Sequence, residues 1–218
     1  MKKITDSWYK NKTWNGDIDT RFEKQLRYTR NPIHKAEYLL VQGSLLLENP
    51  QQNIQEVGQV LLSRLMEDLT TEHSPILTAQ EKLGDYFFKI QQYEKAADYY
   101  KIVVEYCVQQ QSRTNTSFMT DLKWADTVLK MNRVDCLEEA YQLVTHYPVS
   151  LLKLNEQKFY YAELGALICH KMYKITAAKE FAAQALKLAS AVKPLDGKNK
   201  KVLIADTRLQ QLALILES

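Results

Sequence analysis

Apolar positions recur at intervals of three and four residues along most of the chain. Tyr93, Ala96, Tyr100, Val103 and Cys107 are one such stripe, with the spacing that places side chains on one face of a helix. Nowhere does an alternating, strand-like pattern dominate. The pattern predicts helices over about 19–30, 33–48, 52–69, 75–90, 92–109, 117–131, 134–146, 151–172, 175–190 and 199–216. The breaks between them are chemically legible. They are Asn31-Pro32, Asn49-Pro50, the polar run 110–116, Tyr147-Pro148 and the turn Lys193-Pro194-Leu195-Asp196-Gly197. Ser74 before Pro75 predicts a capped helix start, and residues 1–16 read as irregular.

A longer period lies above the helical one. Gly43, Gly84, Ala125, Gly165 and Ala205 follow one another at steps of 41, 41, 40 and 40 residues. Each is followed by an apolar residue: Leu46, Phe87, Val128, Ile168 and Leu209. Gly84 has Ala96 and Tyr100 at twelve and sixteen residues, and Gly165 has Ala177 and Phe181 at the same offsets. Ala125 has Leu137 and Tyr141 there, a weaker copy. A glycine inside a helix costs about 0.5–1 kcal/mol relative to alanine, so Gly84 predicts a close helix crossing. For Gly43 the crossing candidate is Gly58, fifteen residues on. Helix pairs repeating in this way cannot bury their apolar faces alone, and stacking buries them. The prediction is an all-α solenoid of about four stacked antiparallel helix pairs over 36–196. A basic arm and capping helix precede them over 1–35, and a C-terminal capping helix over 197–218 carries Leu203, Leu209, Leu212 and Ile215 on one face.

These residues resemble the tetratricopeptide repeat family. Leu83-Gly84, Phe87, Tyr93, Ala96 and Tyr100 fit its pattern, and Leu164-Gly165, Ile168, Ala177 and Phe181 fit nearly as well. Trp124-Ala125, Val128 and Tyr141 fit in part, with Leu137 where alanine belongs, and Pro148 lies near the closing proline. The resemblance spans roughly 36–190, with a period of 40–41 residues against about 34 in the family. It implies a right-handed superhelix whose concave face is built from the first helix of each pair and binds proteins or peptides. It implies no single activity, because the family is defined by a fold.

Composition narrows the field further. Six Gly and five Pro among 218 residues are too few for a turn-dense β-sandwich, a collagen or a flexible low-complexity chain. No apolar run approaches the ~18 residues of a membrane helix. Met1-Lys2-Lys3-Ile4-Thr5-Asp6-Ser7 has no apolar stretch behind its basic end, so no secretory leader is expected. The expected compartment is the cytoplasm. The net charge of +3 conceals a pattern: +5 over 1–35, −6 over 36–110, +1 over 111–186 and +3 over 187–218. Cys107, Cys136 and Cys169 are odd in number, without a CxxC, and read as thiols in apolar helical surroundings. His34, His73, His146 and His170 are scattered, and no phosphate loop, dinucleotide fingerprint, HExxH or GxSxG is present. Cys169 and His170 are neighbours on a helix and diverge by about 100°. No cofactor or metal is expected.

Lys82, Asp85 and Lys89 recur as Lys123, Asp126 and Lys130, each 41 residues on. Spacings of three, four and seven put each trio on one helical stripe, and stacked repeats would set the trios side by side as a charged ladder. Salt bridging within each helix would account for the same spacing. The family's clamp for a peptide carboxylate does not carry over, because Asp85 and Asp126 stand where Asn-type donors belong. On the next pair the inner positions are Phe159, Ala162, Ala166, Cys169 and His170, a more apolar end. Trp8, Trp14 and Phe22 read as a cap on the first pair, with partner docking as the alternative. The expected function is a non-enzymatic scaffold or regulator binding a protein or peptide through Lys82, Asp85, Lys89, Lys123, Asp126, Lys130, Phe159 and His170. The alternatives are an enzyme whose site is assembled across repeats and a nucleic-acid binder using the basic arm. The arm falls short of the strongly basic stripe of nucleic-acid binders, so nucleic acid is the less favoured partner. No membrane contact is expected, and homo-oligomerisation through the terminal faces stays open.

Overall fold

A computed structural model describes residues 8–68, 73–191 and 206–218. Among these residues the chain is all-α. It divides into two compact units, Met1–Ser117 and Phe118–Ser218. The first contains α1 (Gly16–Tyr28), α2 (Pro32–Leu47), α3 (Gln52–Asp68), α4 (His73–Lys89) and α5 (Tyr93–Gln110). The second contains α6 (Thr120–Met131), α7 (Leu137–Thr145), α8 (Asn155–Lys171), α9 (Ile175–Ala191) and α10 (Asp206–Glu217). Consecutive helices pack in pairs: α2 with α3, α4 with α5, α6 with α7 and α8 with α9.

In the first unit α4 also lies against α2 and α3. Its core is Phe22, Leu26, Leu39, Leu46, Leu62, Leu65, Leu83, Tyr100 and Val103. Burying each such leucine contributes about 1.5–3 kcal/mol. In the second unit α8 contacts α6 and α7, and α10 packs on α9 and α8. Leu212 and Ile215 are buried there, as a terminal capping helix requires. Leu209 is half-buried, while Leu203 and Ala205, together with the turn over 193–197, lie outside the described residues.

The small residues stand where helices cross. A Cβ on Gly84 would lie 2.5 Å from Cε1 of Tyr100, and one on Gly165 would lie 2.6 Å from Cδ1 of Phe181. A side chain on Gly43 would meet Cγ of Leu62 at 2.8 Å, and one on Gly58 would meet the Gly43 carbonyl oxygen at 2.8 Å. The glycines therefore permit close backbone approach. Of the aromatic positions in phase with them, Phe87 and Tyr100 are buried. Tyr93, Tyr141 and Phe181 are half-buried.

Three hairpins turn on the same backbone device. Gln91, Asn132 and Tyr173 have φ of 61°, 57° and 58°, and they are 41 residues apart. After each, an N–H reaches back to the last helical turn: Gln92 to the Phe87 carbonyl at 2.9 Å, Arg133 to Val128 at 3.2 Å and Lys174 to Cys169 at 2.9 Å. This left-handed closure satisfies carbonyls that a helix end otherwise leaves orphaned.

Several boundaries move from their expected places for local reasons. The first helix begins at Gly16 because the Asn15 side chain accepts from Ile18 N at 2.9 Å and Asp17 and Asp19 occupy the first turn. Ser74 is not a cap but lies inside α4, where its carbonyl accepts from the Thr78 hydroxyl at 3.1 Å. Phe118 has φ 63°, and Ser117 is held by Glu81 through its N–H at 2.8 Å and its hydroxyl at 2.7 Å. The following helix therefore waits until Thr120. The helix expected from 151 starts at Asn155, where the Gln157 amide oxygen takes the Leu154 N–H at 3.1 Å.

Candidate functional site

The stripe on α4 begins with packing. Gly84 lets the Tyr100 ring sit against the helix, and the buried Tyr100 hydroxyl then donates to Asp85 Oδ1 at 2.7 Å. Asp85 is half-buried, and Lys82 and Lys89 on either side of it are exposed. Together with Tyr86 they border an open groove of about 170 Å³, completed by Ser44, Leu47 and Glu48 of α2. Leu47 and Tyr86 are buried and form its apolar floor. The Tyr86 hydroxyl donates to Gln55 Oε1 at 3.3 Å. Burial, and then the Glu56 charge, push the Tyr86 phenol above its ordinary pKa. The groove thus has an apolar floor and a rim of both signs, wide enough for one side chain of a bound peptide.

In the second unit Lys123 and Asp126 are half-buried and Lys130 is exposed. Asp126 Oδ2 accepts from the Tyr160 hydroxyl at 2.9 Å. Both in-phase aspartates therefore hold a tyrosine hydroxyl. The donor differs: Tyr100 comes from the second helix of its own pair, whereas Tyr160 comes from the first helix of the next. Tyr141, the counterpart of Tyr100, lies instead beneath the Lys174 ammonium, 4.4 Å from its ring centroid. Burial raises the Asp126 pKa, and the negative Glu163 adds to the rise. The Tyr160 hydrogen bond and the positive Lys130 and Arg208 oppose it.

Glu163 and Arg208 form a pair that sequence reasoning missed. Arg208 Nε donates to Glu163 Oε1 at 2.6 Å, and its Nη2 donates to Oε2. The guanidinium lies 5.0 Å from the Phe159 ring centroid. This corrects the expected apolar end. Phe159 is only 2% exposed, so it is a packing surface for Arg208 and not open for a partner. Ala162, Ala166 and Cys169 are buried too, while His170 is exposed. One signal was available: Glu163 stands 40 residues after Lys123 and reverses its sign. Nothing local marks Arg208 as its mate.

The cysteines also divide. Cys107 and Cys169 are buried, and burial pushes the Cys169 thiol up to about 11. Cys136 departs from the expected apolar helix, for it ends a short 3-10 turn and is half-buried beside the exposed pair Arg133–Asp135. That arginine holds the Asp135 carboxyl well below the usual range. Among the described residues no group of three or more His, Cys, Asp or Glu could hold a metal ion. No described helix is long and apolar enough to cross a membrane. No protein-family model, curated protein or solved structure matches the chain.

Proposed function

We propose that the chain is a tetratricopeptide-like helical module that binds a protein or peptide without catalysing a reaction, and that it works in the cytoplasm. The α2–α4 groove carries this reading, because it joins a buried apolar floor to lysines and acids that can orient a ligand. The recurrent pairing of a glycine with a ring sixteen residues later supports the family resemblance. In the second unit Lys123, Asp126, Lys130 and His170 are the remaining partner-binding candidates, and Phe159 serves the fold instead.

The test is a charge reversal on the rim of the groove. A partner captured from the source cell by the full chain should bind the Lys82→Glu/Lys89→Glu variant at least about tenfold more weakly, a loss of about 1.4 kcal/mol. Lys24→Glu, an exposed change on α1, should leave affinity unchanged. Equal loss in both variants, or in neither, removes the groove from the binding site.

A further inference from the structure

A second face, distinct from the α4 groove, lies where the segment before α1 folds onto α2. Gln42 is fully buried. Its Oε1 accepts from Asn11 N at 2.9 Å and from Asn11 Nδ2 at 3.0 Å, and its Nε2 donates to Asn11 O at 2.7 Å. Asn49 Nδ2 donates to Lys12 O at 2.6 Å. These bonds hold the loop in one place, and with it two aromatic rings.

Trp8 is rooted in the core, 5.3 Å from the buried Phe22 ring. It also meets Tyr38 at 4.8 Å, while Tyr9 lies 4.4 Å from Tyr38 between ring centroids. The imidazole of His34, one turn before Tyr38, continues the row at 6.3 Å. Trp14 closes on the far side of Phe22 at 5.4 Å. A ring that only plugs a core is covered, as Phe22 is. Trp8, Tyr9 and Tyr38 are half-buried and His34 is exposed, so the row is a shelf that keeps ring surface in solvent.

Positive charge gathers at this shelf. Segments 8–15 and 29–38 contain Lys10, Lys12, Arg30, Lys35 and His34, against Glu37 alone. The Lys10 ammonium lies 5.3 Å from the Tyr9 ring centroid. Lys12 is exposed and Lys35 half-buried.

We infer that this shelf binds nucleotides, with a base stacked on Tyr9 and Tyr38 and phosphate held by Lys10, Lys12 and Lys35. Aromatic faces accept any base by stacking, and lysines follow the phosphates. An acidic peptide would engage the lysines and leave the rings without a role. Single-stranded nucleic acid and a free nucleotide share this chemistry, and the strand uses more of the shelf.

The full chain is titrated into a fluorescent single-stranded oligonucleotide of about 12 nucleotides, longer than one small binding site, and fluorescence anisotropy is read. Binding is expected at about 50 mM salt and should weaken steeply towards 200 mM. Tyr9→Ala should lower affinity about tenfold, and Tyr9→Phe should restore it. Lys10→Ala and Lys35→Ala should each weaken binding to every sequence and reduce the salt slope by about one. Lys10→Glu/Lys12→Glu leaves the rings in place and should abolish binding. An adenosine monophosphate titration separates the sources: tighter oligonucleotide binding assigns a strand, and equal affinity assigns a free nucleotide. No binding at low salt overturns the inference. So does binding that survives Lys10→Glu/Lys12→Glu, or binding that polyglutamate displaces equally well and Tyr9→Ala leaves unchanged.

Discussion

Tyr173 is 87% exposed and holds φ at 58°, a conformation that a bulky side chain adopts only at a cost. Tyr173→Gly should therefore stabilise the chain by about 0.5–1 kcal/mol, read as a raised denaturation midpoint. Gly84 and Gly165 are the opposite case. An added methyl has a ring carbon within 2.6 Å at either position, so Gly84→Ala and Gly165→Ala should each destabilise by about 1–3 kcal/mol. Asp126 gives a pH signature. Its pKa is raised in the folded state, so the folded form holds the proton to higher pH than the unfolded chain does. Its contribution to stability accordingly falls as pH rises from about 4, the ordinary aspartate value, through the raised value. Asp126→Asn should flatten that slope in thermal melts over this range and raise stability at neutral pH. Thiol chemistry follows burial. Alkylation of the native protein should label Cys136 first, and Cys107 and Cys169 only on unfolding.

Among the elements, helix pairs were legible where a periodic apolar stripe met a strong breaker. The α4–α5 pair and the Gly84–Tyr100 crossing follow from spacing alone. Helix starts were less legible, because they depend on side-chain bonds across longer separations. Ser117 is fixed by Glu81, 36 residues away, and no local pattern announces that. The α4 stripe could be read as one face, but its groove needed α2 alongside, and the covering of Phe159 needed Arg208. The docking of α10 rests on that same contact. Glu163 is 8% exposed, so Arg208→Ala should leave its carboxylate poorly compensated, at a cost of roughly 2–3 kcal/mol after allowing for the partly exposed guanidinium. Hydrogen exchange should report the loss as faster amide exchange confined mainly to α10.

At the scale of the whole molecule, two compact units meet in sequence between Ser117 and Phe118. Each has its own buried core, and the Glu81–Ser117 bonds keep the boundary serine with the first unit. A fragment ending at Ser117 is expected to retain helical circular dichroism and a cooperative melt. A fragment ending at Arg113 lacks the two Ser117 bonds and should melt lower, by the ~1–3 kcal/mol that a charged hydrogen bond contributes. The left-handed hairpin closures have a wider consequence. Asn132-Arg133-Val134 and Tyr173-Lys174-Ile175 occupy equivalent places after φ values of 57° and 58°, and Val134 and Ile175 both reach solvent. The backbone there is indifferent to the letters it carries. Such tips are transplantable: one tripeptide can be written over the other, and the outer edge of the protein can acquire a new vocabulary while the helices beneath keep their grammar.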